Sequence, residues 1–293
     1  MSTLSPEISI IFPVKNEGKN VKNTLDSLFS VHSNYNYEVI VVDDGSIDGC
    51  CDFIKVYSKR KKIKLIRTEG IGAANARNLG AKHARGKYLA FCDAHLFFTN
   101  LWIDKLLEPL KSGKTDVICP GIADVHNPSS IGYGQTLKSN LVIKWNKKHL
   151  NLTETAVIPG GCFIISTSTF NEVGGFETGF KTWGYEDIEL SIKLWLFGYK
   201  CSVLSNVKVL HVFRKSHPYQ LSNEHIYYNL MRMAYSHFNQ FRIKKCKKLI
   251  KNSDSLQIEK MVIKTGILNQ RNAYFRKRKH DDSWYFNKFN ISF

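Results

Sequence analysis

The segment LAFCDAH (residues 89–95) places an aspartate and a histidine two positions apart at the end of an apolar run. Residues 88–92, YLAFC, are typical of a strand that enters a core. Alternate side chains of an extended chain lie on the same side, so Asp93 and His95 can point together. A carboxylate and an imidazole so placed could bind a divalent cation. Such a pair more often caps a loop than binds a metal, and the spacing by itself leaves both interpretations open.

A second candidate lies in VVDDGSIDG (residues 41–49), where two carboxylates and a glycine follow an apolar run. Asp before Gly is common in turns. An acidic residue at a strand end can also bind the ribose of a nucleotide. Dinucleotide and P-loop sites are disfavoured, since the sequence contains neither GxGxxG nor GxxxxGKS/T.

Apolar strands alternate with helical stretches in the first half of the chain. Strands are predicted at residues 8–14, 37–45, 62–68 and 87–95, and helices at 16–31, 47–60 and 71–84. This alternation predicts an α/β fold with a mostly parallel sheet flanked by helices. In such sheets ligands gather at the carboxyl ends of strands. The residues at those ends are Pro13, Asp43, Asp44, Asp93 and His95.

The pattern loosens in the second half, where further strands are predicted at 116–125, 156–167 and, as a pair, within 200–215. The polar residues 127–151 are expected to form either a helix or a mobile loop. Beyond Pro218 the chain becomes helical and basic. These features predict a catalytic domain over residues 1–218 and a basic, mainly helical extension over residues 219–293.

The composition is that of an ordinary globular protein, with 43% hydrophobic and 23% charged residues over 293 positions. The formal charge of +17 favours anionic partners, among them nucleotides, nucleic acid and an acidic membrane face. No run of about 18 apolar residues predicts a membrane span, and the N-terminus is not typical of a secretory signal, so a cytoplasmic location is predicted. The seven cysteines lack CxxC spacing and indicate neither a disulfide framework nor a zinc cluster.

Four blocks of the sequence resemble family 2 glycosyltransferases with the GT-A fold. They are FPVKNEGKNVKNTLDSL, VIVVDDGSIDG, EGIGAANARNLGAKHARGKYLAFCDAH and GGFETGFKTWGYEDIELSIKLWLFGYK. The resemblance covers residues 8–219. Within that group the chain is most similar to the polypeptide N-acetylgalactosaminyltransferases and their bacterial relatives. This similarity rests on DxH in place of the commoner DxD, and on VLHVFRKSHPY at residues 209–219.

The resemblance implies a donor site for a UDP-sugar and a site for Mn²⁺ or Mg²⁺. The metal ligands it implies are Asp93, His95 and His211. Two imidazoles and one carboxylate suit Mn²⁺ better than Mg²⁺. Arg214, Lys215 and His217 follow the third ligand and could clamp phosphate oxygens. The residues expected to contact the donor are Pro13, Glu17, Asp44, Arg77, Asn78, Asp93, Trp183 and Arg214.

The acid pair in WGYED (residues 183–187) bears on the stereochemistry of transfer. Retaining relatives have Glu-Asn where this chain has Glu186-Asp187, and the pair resembles that of inverting family 2 enzymes. Inverting transfer needs a carboxylate that takes the proton of the acceptor. We therefore expect Asp187 to be the general base and Glu186 to help bind sugar hydroxyls. Both acids would also suit the first turn of a helix, where they favour the positive end of its dipole.

The acceptor implied by the resemblance is a peptide Ser, Thr or Cys side chain. The residues expected on the acceptor side are Gly160, Gly161, His217 and Tyr219. The helix predicted at 222–238 has an apolar packing face. Its polar side could line an acceptor groove with His225, Asn229, Arg232 and His237.

Other functions remain open at this point. A cell-surface glycan or glycolipid is the alternative acceptor. A basic nucleic-acid-binding protein is the alternative from another class, because Lys and Arg interleave with aromatic residues near the C-terminus. The same basic extension could instead contact an anionic membrane peripherally, at the inner face. The sequence predicts no oligomeric state.

Overall fold

A mixed ten-stranded sheet runs through the computed structural model, which describes residues 5–149, 151–214 and 216–293. A separate two-stranded sheet pairs β8 with β9. The strands are β1 Ile8–Val14, β2 Tyr37–Asp44, β3 Ile63–Thr68, β4 Tyr88–Cys92, β5 Leu96–Phe97, β6 Val117–Asp124, β7 Ile131–Gly132, β8 Gln135–Leu137, β9 Ile143–Trp145, β10 Leu152–Glu154, β11 Cys162–Ser166 and β12 Cys201–His211. The helices are α1 Asn20–Ser30, α2 Ala73–Lys82, α3 Trp102–Lys111, α4 Thr167–Glu172, α5 Glu186–Leu196, α6 Asn223–His237, α7 Gln240–Lys248, α8 Ser255–Ile263, α9 Ile267–Lys277 and α10 Asp282–Lys288.

The order of strands brings distant parts of the sequence to one edge. Strands β3, β2, β1 and β4 are parallel neighbours, β11 lies antiparallel to β4 and β6, and β12 is parallel to β6. The beginning of β11 at Cys162 therefore lies opposite the end of β4 at Cys92. The end of β12, at His211, falls at the same edge. The α/β fold with a mostly parallel sheet flanked by helices is confirmed.

The central strands are buried on both faces, which explains their nearly continuous apolar sequences. Burying one aliphatic side chain of this kind stabilises a fold by about 1.5–3 kcal/mol. Helix α2 packs closely on β1 at Gly80, where a Cβ atom would lie 2.4 Å from Cγ2 of Ile11. A glycine inside a helix costs about 0.5–1 kcal/mol relative to alanine. Here the close approach of helix and strand requires it.

Residues 47–60 do not form the predicted helix. They form only short 3₁₀ turns at Asp52–Val56 and Arg60–Lys62. The Asp48 carboxylate accepts hydrogen bonds from the backbone N–H groups of Gly18 and Cys50, and such side-chain bonds compete with helix formation. Gly49 has a φ of +68°, which does not fit the negative φ of a right-handed helix.

Two predictions for the second half also differ from the structure. Residues 200–215 were predicted to form a strand pair, but β12 is one strand of 11 residues whose pairing with β6 is irregular between Leu204 and Lys208. Ser205 and Asn206 interrupt its apolar run at the irregularity, but both flanks pair with β6, so the chain continues as one strand. The described residues within 127–149 form short strands and loops rather than a helix.

Helices α6 to α10 lie in the basic extension and pack against the rest of the chain. Their buried aromatic residues, including Tyr285 and Phe286, belong to the same apolar cluster as Phe91 of β4. The boundary at residues 218 and 219 stays a prediction. Among the described residues, no helix combines the length and the apolar character needed to cross a membrane. The seven cysteines are all buried and unpaired.

Candidate active site

A cavity of about 680 Å³ opens at the edge where β1, β2, β4 and β12 end. Most of the residues selected from the sequence line it. These are Pro13, Glu17, Asp44, Arg77, Asp93, His95, Gly160, Gly161, Trp183, Glu186, Asp187, His211, Arg214, His217 and Tyr219. A cavity of this size could enclose a nucleotide-sized ligand.

Three side chains converge in the cavity in an arrangement that fits a metal ion. Nε2 of His95 lies 3.1 Å from Nε2 of His211 and 3.8 Å from Oδ2 of Asp93, and the His211 atom lies 3.5 Å from Oδ2 of Asp93. The circle through these three ligand atoms has a radius of about 2.0 Å, so its centre lies at that distance from each of them. This distance is close to metal–ligand bond lengths. Two imidazoles and one carboxylate suit Mn²⁺. The residues therefore fit the ion that the sequence motifs imply.

The candidate ligands are held by a surrounding layer of charged groups. The Glu17 carboxylate lies 3.2 Å from Nδ1 of His95, on the side of the ring opposite Nε2. The Arg214 guanidinium forms an ion pair with Glu17 and places Nη2 3.0 Å from the same Nδ1. A carboxylate behind a histidine ligand fixes the orientation of its ring.

Arg77 connects the candidate ligands with the acid pair. Its guanidinium donates to Oδ1 of Asp93 at 3.0 Å and approaches Oε1 of Glu186 at 3.5 Å. Burial raises the pKa of the Asp93 carboxyl, but a hydrogen bond from His211 and the charges of His95 and Arg77 outweigh it, so this pKa lies well below its ordinary value. Asp93 is thus a carboxylate at neutral pH, as a metal ligand must be.

The acid pair begins helix α5, and its two members have different environments. Glu186 accepts a hydrogen bond from the N–H of Gly184 at 2.7 Å and faces Arg77. Asp187 accepts from the N–H groups of Gly160 at 3.2 Å and Ile188 at 2.8 Å. Burial and the neighbouring Glu186 carboxylate raise the pKa of Asp187 from 3.8 to about 6. A carboxyl group with this pKa can exchange a proton near neutral pH.

Gly160 and Gly161 separate the acid pair from the candidate metal ligands. A Cβ atom on Gly160 would lie 3.3 Å from Cβ of Asp187. A Cβ atom on Gly161 would lie 3.4 Å from Oδ2 of Asp93 and from Cδ2 of His211. The glycine pair therefore leaves free space between the two groups of reactive side chains.

Asp44 lines the cavity, but protein groups already engage its carboxylate. Oδ1 accepts hydrogen bonds from Oγ1 of Thr68 and from the N–H of Ile71, each at 2.6 Å, and Oδ2 accepts from the N–H of Gly72 at 2.9 Å. These bonds order the turn that leads into α2. A direct contact of Asp44 with a nucleotide stays a prediction.

The structure corrects two sequence-based predictions about the site. Asn78 does not line the cavity, and its amide is bonded to the backbone N–H and C=O of Phe176, so it is placed to order the chain there rather than to contact a donor. The polar side of α6 does not face an open groove, because Asn229, Arg232 and His237 are buried. Lys215, predicted to help clamp phosphate, lies outside the described residues.

The sequence analysis missed the contribution of the β8–β9 hairpin to the cavity. The hairpin supplies Gln135, Ile143 and Trp145, and the Trp145 ring lies edge-on to Phe213 with centroids 6.3 Å apart. The signal was weak, because an apolar run at residues 141–143 follows the polar residues 138–140 but only Leu137 is apolar in the first strand. Trp145 and Phe213 together form an apolar wall beside His211, whose ring centroid is 4.3 Å from that of Phe213.

Comparison with known proteins identifies the family of the chain. Residues 9–174 match the family model for Glycosyl transferase family 2. The chain belongs to glycosyl transferase family 2. Residues 140–218 of this glycosyl transferase match a second family model, described as the N-terminal domain of galactosyltransferase. The resemblance drawn from the sequence blocks is thereby confirmed.

Curated relatives of this family 2 glycosyl transferase include polypeptide N-acetylgalactosaminyltransferases. Polypeptide N-acetylgalactosaminyltransferase 14 of Homo sapiens is 31% identical over 234 residues, which cover 73% of this chain and 42% of that protein. Polypeptide N-acetylgalactosaminyltransferase 11 of Xenopus tropicalis is 28% identical over 229 residues, which cover 70% of this chain and 38% of that protein. The chain spans less than half the length of these relatives.

Solved structures share the fold. The crystal structure of GalNAc-T7 with UDP, GalNAc and Mn²⁺ superposes with a TM-score of 0.74 at 20% identity, covering 99% of this chain and 57% of that one. The crystal structure of S. aureus TarS 1-349 in complex with UDP-GlcNAc gives a TM-score of 0.59 at 19% identity, covering 96% and 75% of the two chains. These likenesses confirm the GT-A fold.

Proposed function

We propose that this protein is a metal-dependent glycosyltransferase that moves a hexose or an N-acetylhexosamine from a UDP-sugar to an acceptor nucleophile. The observation that carries the proposal is the convergence of Asp93, His95 and His211 in the same cavity as the acid pair. The named relatives are N-acetylgalactosaminyltransferases, and one neighbouring structure contains UDP with Mn²⁺. Both facts support this choice of donor and metal.

The three candidate ligands would hold Mn²⁺ or Mg²⁺ at the end of β4. When bound, the ion neutralises the diphosphate of the donor and so stabilises the leaving group. Arg214 is within reach of this region through its ion pair with Glu17, and its planar guanidinium suits phosphate oxygens. Arg77 fixes Asp93 on the side away from the imidazoles, which keeps Oδ2 directed at the ligand set.

In the proposed reaction the acceptor O–H or S–H attacks the anomeric carbon of the sugar. A bond forms between that carbon and the acceptor atom, the bond to the diphosphate oxygen breaks, and the acceptor proton passes to Asp187. The raised pKa of Asp187 supports this role, because its carboxylate has a substantial affinity for a proton and is still mostly ionised at pH 7. Attack from the face opposite the leaving diphosphate would invert the anomeric centre. Glu186, held by Arg77 and Gly184, would bind sugar hydroxyls.

The acceptor in this proposal is a peptide Ser, Thr or Cys side chain. The relatives named as polypeptide transferases support it. So does the aromatic wall of Trp145 and Phe213, on which an extended peptide could pack. Trp183 offers a second aromatic surface, with its ring centroid 4.5 Å from that of His217.

The proposal also includes a cytoplasmic location and peripheral contact with an anionic membrane. Residues 219–293 contain fifteen Lys and Arg against five Asp and Glu. Such a surface attracts anionic lipid headgroups with an energy of about 1 kcal/mol for each basic residue near the membrane.

A donor panel tests the function directly. The purified protein with Mn²⁺ is given each common UDP-sugar in turn, and the release of UDP is followed. We expect release from one donor, lost on addition of EDTA and in Asp93→Ala, and kept in the matched control Asp52→Ala, whose carboxylate is on the surface. Absence of both turnover and binding for every donor would contradict the proposal. With an active donor, a peptide library followed by mass spectrometry distinguishes peptide from glycan acceptors, and NMR of the product gives the anomeric configuration.

A further inference from the structure

The loop that leads into α5 has an unusual backbone. Thr182 has a φ of +39°, Gly184 of +104° and Tyr185 of +69°. Residues with side chains rarely adopt positive φ, and they remain there only where the surrounding structure enforces it. This loop carries Trp183 and determines where Glu186 and Asp187 begin their helix. Its conformation therefore needs an external support.

That support comes from the basic extension, through Asn229 of α6. The Asn229 side chain is fully buried, with 0% exposure. Its Oδ1 accepts a hydrogen bond from the N–H of Lys181 at 2.8 Å. Its Nδ2 donates to the carbonyl oxygens of Lys181 at 2.8 Å, Gly184 at 3.0 Å and Trp183 at 3.3 Å. One amide thus ties both ends of the loop to a single point.

Two further contacts hold the loop, one from each side. Nδ1 of His225, one helical turn before Asn229 on α6, lies 2.8 Å from Oγ1 of Thr182. On the opposite side, the carbonyl of Thr182 accepts from the N–H of Ala73 at the start of α2 at 2.8 Å. The loop is therefore clamped between α2 and α6.

We propose that Asn229 is a positioning residue that fixes this loop, and with it the acid pair, for the transfer reaction. The inference rests on the proposed function. It assigns to residues 219–293 a part in building the catalytic site, in addition to any membrane contact. A buried amide with a purely structural role would affect the stability of the protein as a whole. Removing a positioning residue would, in addition, loosen the loop and lower the turnover number.

The test compares Asn229→Ala with Ser236→Ala. Ser236 is a matched control because it lies on the same helix and is also 0% exposed. Its hydroxyl bonds to Arg232 and Gln270, away from the loop. Both variants are measured for melting temperature, for kcat and KM with the active donor, for binding of UDP with Mn²⁺, and for hydrogen exchange of the peptide spanning residues 180–186.

For Asn229→Ala we expect kcat to fall by about 100-fold, since a misplacement of about 1 Å has that effect. The affinity for UDP with Mn²⁺ should fall by much less than kcat, because the three candidate metal ligands, Asp93, His95 and His211, lie outside the loop. Exchange of residues 180–186 should become at least about tenfold faster. Ser236→Ala should leave kcat and loop exchange within about twofold. Unchanged loop exchange in Asn229→Ala, or an equal loss of kcat in Ser236→Ala, would overturn the proposal.

A second variant covers the case in which Asn229→Ala does not fold. His225→Ala removes the contact with Thr182 alone, and we expect kcat to fall between about two- and tenfold, with faster exchange of the same peptide. No change in either quantity would refute the clamp. If the wild-type protein turns over no donor, the proposed function fails, and loop exchange in these variants then decides the positioning role by itself.

Discussion

Replacing Asp187 by asparagine should lower the activity of the protein and raise its stability. The folded protein raises the pKa of this carboxyl from 3.8 to about 6, chiefly because the group is buried and because Glu186 lies beside it. A pKa difference of about two units corresponds to about 3 kcal/mol. At neutral pH, where Asp187 is charged, the native state is destabilised by this amount. This is an upper limit, since the side chain is partly exposed to the cavity.

The Asp187→Asn variant avoids this destabilisation but loses a hydrogen bond. The Asp187 carboxylate accepts from the N–H groups of Gly160 and Ile188 through different oxygens, whereas asparagine offers one oxygen. One unpaired N–H costs about 1 kcal/mol or more. The net expectation for Asp187→Asn at pH 8 is a gain of about 1–2 kcal/mol, which corresponds to a melting temperature higher by about 2–4 °C.

The difference in stability between the variant and the wild type should depend on pH. Between about pH 4 and 6 the folded state holds a proton that the unfolded chain has released, so raising the pH through this window destabilises the wild type. Asp187→Asn lacks that group. The advantage of the variant should therefore grow from pH 4 to 6 and stay constant above pH 6.

The assay is thermal unfolding of both proteins at pH 5, 7 and 8, together with kcat at the same pH values. We expect kcat of Asp187→Asn to fall by about 10²–10⁴-fold, as for the loss of a general base. Wild-type kcat should decline as the pH falls through about 6, because protonated Asp187 cannot accept a proton. An active Asp187→Asn would refute the assignment of the base. A variant less stable than wild type at pH 8 would refute the burial argument.

Three further predictions concern the metal site and the packing beneath it. His211→Ala should weaken Mn²⁺ binding by at least about 100-fold in calorimetry, because it removes one of the three converging ligands, whereas His83→Ala, at the exposed contact with Lys64, should not change it. Glu17→Gln should weaken Mn²⁺ binding by about 10–100-fold without removing a ligand, and unchanged affinity would exclude its role behind His95. Gly80→Ala should lower the free energy of unfolding by about 1–3 kcal/mol, because the added Cβ atom would meet Ile11. Denaturant unfolding measures this change, and an unchanged free energy would mean that α2 can shift away from β1.

Recognisable strand ends predicted part of the site, and the resemblance to a known family implied most of the rest. Asp93 and His95 follow an apolar run, and a parallel sheet collects the ends of its strands at one edge. The structure brings both side chains together with His211, as the motif resemblance implied. Their roles in binding and catalysis stay predictions until they are tested.

The errors arise where the direction of a side chain decides its role. Arg77 and Asn78 are neighbours on α2, yet one faces the cavity and the other the backbone of Phe176, because successive residues of a helix point about 100° apart. The polar side of α6 was considered as a possible lining of an acceptor groove. Asn229, Arg232 and His237 are instead buried. Asn229 bonds to backbone groups, and Arg232 forms an ion pair with Glu177. Composition alone does not distinguish a polar face in solvent from one that bonds to a loop.

The separation of the two histidines along the chain has a thermodynamic consequence. His95 and His211 are 116 positions apart, and their rings approach only in the folded sheet. A cation held by both acts as a reversible cross-link between the two halves of the sheet, and it binds the native state far better than the unfolded chain. Ion at one hundred times its dissociation constant would raise the free energy of unfolding by about 2.7 kcal/mol. The melting temperature in a series of Mn²⁺ concentrations would thus report on the site before any donor or acceptor is known.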